Sequence, residues 1–145
     1  MSYIEGASRE QRILFPEALD EYIGEDKAVR FIEVYVDRLE LEELGFKQTA
    51  PKETGRPPYD PRDLLKLYIY GYLNRVRTSR MLERECGRNV ELMWLMRKLR
   101  PDFKTIADFR KENRQCFKGV FRQFVLLCRD GVIGRRVGGD RREQV

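Results

Sequence analysis

The sequence predicts an all-α fold, a bundle of about six short helices with flexible termini, and three observations carry that reading. Apolar residues recur at helical spacing in one segment after another, most cleanly in Phe117, Val120, Phe121, Phe124, Leu127 and Cys128. Helix-starting residues such as Asp60-Pro61 punctuate the chain. No alternating run rich in Val, Ile or Thr argues for a sheet. At 145 residues, 41% apolar and 37% charged, the chain amounts to about one globular domain, long enough to bury a core without disulfides or metals.

Residues 1–14 are polar and are expected to be loose. Pro16 suits the first turn of a short helix over EALDEYI. Asp26 is the expected cap of the next helix, KAVRFIEVYVDRL, where Phe31, Ile32, Tyr35, Val36 and Leu39 recur at helical spacing. A short continuation, LEELGF, stops at Gly45, a natural helix terminator. Residues 47–59, KQTAPKETGRPPY, hold three prolines and a glycine with almost nothing apolar, and read as a linker.

Asp60 and Pro61 then open a helix in which only Lys66 and Gly71 interrupt the apolar run from Leu64 to Leu73. A helix apolar nearly all round belongs at the centre of the domain. Thr78 or Ser79 caps SRMLEREC, with Leu82 and Cys86 on one side and Arg77, Arg80, Arg84 and Arg88 on the other. Asn89 is a stop or a cap before VELMWLMRKL, which Pro101 breaks, and Thr105 is the expected cap of IADFRKEN. The last helix, Arg114 to Arg129, carries Arg114, Lys118, Arg122 and Arg129 on a stripe well separated from its apolar one.

Charge divides the chain. Residues 1–50 hold 6 Lys/Arg against 12 Asp/Glu, net −6, and residues 51–145 hold 23 against 12, net +11. A basic second part points to a polyanion, with nucleic acid the leading candidate. Solvated faces with ion pairs from Glu83 or Glu85 are the competing explanation. The run from Ser79 to Arg114 reads as three short helices with tight connections, like a helix-turn-helix bundle whose last helix enters the major groove by its N-terminal end. Lys104, Thr105, Asp108, Lys111 and Arg114 would then lie at or near DNA, beside Arg77, Arg80, Arg84, Arg88, Lys118 and Arg122 on the basic stripes. A bundle that only packs on another domain remains the alternative.

Several chemistries are disfavoured. There is no histidine, and Cys86, Cys116 and Cys128 form no CxxC pair, which leaves no zinc pattern and no His-activated nucleophile. Asp102 and Glu112 are a poor metal-nuclease pair, since such acids sit on adjoining strands and none is predicted. GVIGRRVGG follows a helix and lacks the Lys-Ser ending of a phosphate loop. The longest apolar run, LYIYGYL, is too short for a bilayer, and the N-terminus lacks a signal-peptide core, so a cytoplasmic location is expected.

The segments YDPRDLLKLYIYGYLNR and PDFKTIADFRKEN, specific in combination, resemble the N-terminal domain of bacterial insertion-sequence transposases of the DDE type. The likeness runs from Phe15 to Gly134. It implies a helical domain over 15–133, with an acidic part 15–46, a linker 47–59 and a basic part 60–133, followed by a tail over 134–145. It also implies recognition of the element's terminal inverted repeats, assembly with intact transposase or a second copy, and a nucleoid-associated location. Catalysis in such relatives lies in a downstream RNase H-like domain, where three carboxylates hold two divalent metals, with magnesium the expected ion. On that reading this chain carries no catalytic residue, metal or cofactor of its own.

In such relatives the first of these acids follows LLCR in a motif like AIDGSKF, whereas this chain reads RRVGGDRREQV. One permitted codon choice for Gly139 to Val145 is GGC GAT CGA CGG GAG CAA GTT. Read one nucleotide later, it encodes Ala-Ile-Asp-Gly-Ser-Lys and the start of a Phe codon. The expectation is therefore a frameshift around Gly134 to Val137, a truncated product without catalytic activity, and a disordered tail in which Asp140 is not the catalytic aspartate. Without the downstream domain, the stripe of Phe117, Phe121 and Phe124 either loses packing surface or completes this domain's own core. The alternative functions are a protein-interaction fragment that packs against or inhibits intact transposase, or a non-functional remnant of a decayed element.

Overall fold

A computed structural model describes residues 3–10, 18–47 and 58–129. Among them the chain forms a short 3-10 helix, Leu19–Tyr22, and six α-helices. These are α1 Ala28–Asp37, α2 Pro61–Asn74, α3 Ser79–Cys86, α4 Val90–Met96, α5 Phe103–Glu112 and α6 Arg114–Arg129. No strand occurs among the described residues, and the expected all-α bundle is the observed architecture. Residues 48–57 of the linker and the tail over 134–145 lie outside the described residues, and so do all the expectations attached to that tail.

Helix α2 is the axis of the bundle. Asp60 caps it by accepting a hydrogen bond from the Arg62 amide at 2.9 Å, and Pro61 occupies its first turn. From Pro61 to Gly71 every residue except Arg62 is buried, as a helix apolar nearly all round requires. Helices α1, α4 and α5 pack around it. One core joins Val29, Ile32 and Val36 of α1 to Leu64, Leu65 and Leu67 of α2, so the acidic and basic parts share an interior and differ only at their surfaces.

Helix α6 closes the bundle through aromatic contacts. Phe124 is tilted against Phe31 and packs edge-on to Tyr35, and Phe117 packs edge-on to Tyr68. The Tyr35 hydroxyl donates to the Val120 carbonyl at 2.9 Å, and the Tyr68 hydroxyl to Ile106 at 2.6 Å. Burial pushes both phenols up to about 12, so neither ionises near neutrality. Phe117 and Phe124 thus complete this domain's own core, and only Phe121 of that trio is half-buried.

Local differences from the sequence reading have physical reasons. Lys27, not Asp26, is the N-cap of α1, whose first turn receives no side-chain cap. Helix α5 begins at Phe103 with Asp102 as its N-cap, and Thr105 lies inside the helix with its hydroxyl bonded to Asp102. Helix α4 stops at Met96, well before Pro101, because Arg97 and Lys98 adopt left-handed backbone, φ 52° and 66°. Thr78 and Asn89 cap α3 and α4 through the amides of Met81 and Leu92.

The first segment also departs from expectation. Residues 3–10, read as loose, lie across the bundle as a strap, with the Ile4 amide on the Pro58 carbonyl and the Ala7 amide on Arg97 at 2.8 Å. Gly6 passes so close to Arg97 that a Cβ there would sit 2.5 Å from its carbonyl oxygen.

Candidate nucleic-acid interface

Arginine does two different jobs in this molecule, and the separation locates the candidate site. On one side, Arg9 and Arg30 lie over the ring of Trp94, 4.3 and 4.8 Å from its centroid. The Trp94 indole N–H donates to Asp20 at 2.8 Å, and Arg30 bridges the same carboxylate. That indole bond, aided by Arg30, holds the Asp20 carboxyl below its ordinary range. Arg9 forks onto Glu33, which also meets the buried Lys66 at 3.5 Å, and Lys66 reaches Asp37 at 3.0 Å. Buried Asp63 pairs with Arg97 at 3.1 Å, yet desolvation keeps its carboxyl above the ordinary range. These cations are committed to the fold.

On the other side a groove runs between the turn after α2 and the junction of α5 with α6. It has two adjoining lobes of about 630 and 640 Å³ that share Tyr68, Arg77, Arg110, Phe117 and Phe121. Arg75 adds to one lobe, and Lys111, Arg114 and Lys118 to the other. All six cations are exposed, and among the described residues none is ion-paired with a carboxylate. The groove therefore concentrates positive charge that the fold itself does not neutralise.

The turn that delivers two of these cations is tightly determined. Helix α2 ends in left-handed backbone at Arg75, φ 59°, and the Val76 amide returns to the Gly71 carbonyl at 2.9 Å. A Cβ on Gly71 would sit 2.6 Å from the Val76 carbonyl oxygen and 3.0 Å from Leu82, so only glycine lets the chain double back there. On the opposite rim, the buried Asn113 side chain bonds Phe109 and the Lys47 amide, fixing the bend between α5 and α6 that sets Lys111 beside Arg114.

The sequence-derived residues divide accordingly. Arg77, Lys111, Arg114 and Lys118 come together in the groove. Arg122 is exposed farther along α6, outside the lining. The Arg77-to-Arg88 stripe is not one helical face, since α3 contains only Arg80 and Arg84 of the four. Arg80 stacks on Phe103 at 3.9 Å, Arg84 is exposed, and Arg88 pairs with Glu85, whose carboxyl that bond lowers.

Lys104 and Thr105 sit at the other end of α5, beside Asp102 and Glu83, and Glu83 accepts from the Phe103 amide at 2.8 Å. Two carboxylates at a helix N-terminus occupy the place where a phosphate would bind. Asp108 is exposed on the same helix. Arg75 and Arg110 belong to the groove but to neither basic stripe, so a search along single helices passes over them.

Other chemistry finds little purchase. Among the described residues no three acids or cysteines gather in a way that could hold a metal. Asp102 caps α5 and Glu112 ends it, roughly 15 Å apart at helical rise. The divalent ion implied by the resemblance therefore has no holder among these residues. The Cys86 thiol is buried and pushed up to about 12 by desolvation, as an inert core cysteine is. No helix of the described residues is long and apolar enough to cross a membrane.

Residues 17–112, from the 3-10 helix to the end of α5, match the family model described as Transposase domain (DUF772). The chain belongs to this transposase-domain family. No curated protein and no solved structure matches it. Four of the groove's lining residues, Arg114, Phe117, Lys118 and Phe121, lie on α6 beyond the matched residues.

Proposed function

We propose that this transposase-domain chain is the DNA-binding and assembly domain at the N-terminal end of a DDE-type insertion-sequence transposase, recognising the element's terminal inverted repeats. It has no catalytic step of its own. The observation that carries this reading is the groove in which Arg75, Arg77, Arg110, Lys111, Arg114 and Lys118 stand without carboxylate partners among the described residues. Such cations displace counterions from a phosphate backbone, which supplies much of the affinity for duplex DNA. Arg84 and Arg122 are exposed outside the groove lining and serve as outer contacts, whereas stacked Arg80, paired Arg88, Lys104 and Thr105 are peripheral. The family membership supports the same direction.

The test is binding of the full chain to a duplex carrying the element's terminal repeat, set beside a scrambled duplex at low salt. Tighter binding of the terminal repeat is expected. Absence of binding to either duplex contradicts the reading, and leaves the fragment that packs on intact transposase as the surviving one.

A further inference from the structure

Phosphate contacts require cations, but this groove also holds open aromatic surface. Tyr72 is 53% exposed, and its ring meets that of half-buried Phe121 with centroids 5.2 Å apart at 59°. Phe121 in turn stacks on Phe117, which packs against Tyr68 and Phe109, so the exposed Tyr72 ring sits at the end of an aromatic column. Arg75 and Arg77 border this surface in one lobe, and Arg110 faces it from α5. A double helix presents phosphates on its outside and keeps its base faces stacked within, so it can meet the tyrosine hydroxyl but leaves the ring face without a stacking partner. An unpaired nucleotide has both parts. Its base offers a π-face and its flanking phosphates offer charge, the combination used by grooves that bind single strands.

We infer that the groove takes unpaired nucleotides of DNA, with a base against Tyr72 and Phe121 and the adjoining phosphates on the surrounding arginines. The inference rests on the DNA-binding reading above and deepens it, since the domain then favours a frayed or single-stranded end over an intact duplex. Stacking is tolerant of sequence, so this preference concerns strand pairing and not base identity.

The experiment measures anisotropy of two labelled DNAs with the full chain, a blunt 20-base-pair duplex and the same duplex bearing a four-nucleotide unpaired extension. The extended duplex is expected to bind about tenfold tighter, within what one stacked base contributes. Tyr72→Leu should bring the ratio of the two affinities close to one, and Tyr72→Phe should keep it. In the extended DNA, 2-aminopurine at the unpaired position should be quenched on binding the natural chain and not on binding Y72L. Equal affinities for the two DNAs, or a ratio that survives in Y72L, overturns the inference and leaves duplex binding intact. Failure to bind either DNA overturns the DNA-binding reading itself.

Discussion

The Trp94 face and the groove are built from the same residue type with opposite outcomes. Around Trp94, each guanidinium has an aromatic ring and a carboxylate: Arg9 has Trp94 and Glu33, and Arg30 has Trp94 and Asp20. In the groove, six cations share one space with no carboxylate partner among the described residues. A paired and stacked arginine stabilises the fold and has little left to offer a ligand. Clustered unpaired cations repel one another and are relieved by an incoming anion. Net charge alone therefore misleads, because the proposed binding draws only on cations that have no carboxylate partner among the described residues.

The sharpest break in this comparison comes from Trp94→Ala. The side chain is 1% exposed and holds Arg9, Arg30 and Asp20 together. Its loss should cost about 3–5 kcal/mol in urea unfolding. Arg9→Ala comes next, at about 1–2 kcal/mol, since it removes a half-buried ion pair and a cation–π contact while Lys66 still faces Glu33. DNA affinity of the folded R9A chain should match the natural one, and a matching loss of affinity would dissolve the distinction between the two faces. The double change Arg77→Gln, Arg114→Gln should reverse the pattern, with stability within about 0.5 kcal/mol and weaker DNA binding.

The smallest effect concerns pH. The Asp20 carboxyl is held below its ordinary range in the fold, chiefly by the Trp94 indole N–H. Its contribution is therefore fully present above the ordinary aspartate range and is lost as pH falls through the lowered value. Asp63 acts in the opposite sense, because its raised carboxyl is relieved by protonation. Asp20→Asn isolates the Asp20 contribution: between neutral and acid pH, D20N should lose less stability than the natural chain. A larger acid loss in D20N would contradict that linkage.

What could be read from the sequence was what a single segment encodes. The apolar run of α2, the Asp60-Pro61 start, the Thr78 cap and the two stripes of α6 each report on their own helix, and they were legible. Arg114 and Lys118 were legible for the same reason, since they fall on the basic stripe of α6, whereas Arg77 and Lys111 lie in the groove without sharing that stripe. Arg75 was hidden because a left-handed residue after a helix breaks the periodicity that would reveal it. Arg110 was hidden because its place depends on α5 packing against α2, which sets its guanidinium over the Tyr68 ring. The strap was not legible because its polar composition says nothing of Trp94, which lies far along the chain and receives Arg9 only after folding. Lys104 and Thr105 lie at the other end of α5 from the groove, and the acids beside them were not legible because they arrive partly from α3.

The most direct measurement is the salt dependence of duplex binding by the full chain and by the Arg77→Gln, Arg114→Gln variant. If four or five groove cations meet phosphates, log K should fall with log salt at a slope of about −4, and the double variant should shallow that slope by about two. A slope near zero in the natural chain, or the same slope in both proteins, would contradict the claim that the unpaired cations of the groove carry DNA binding.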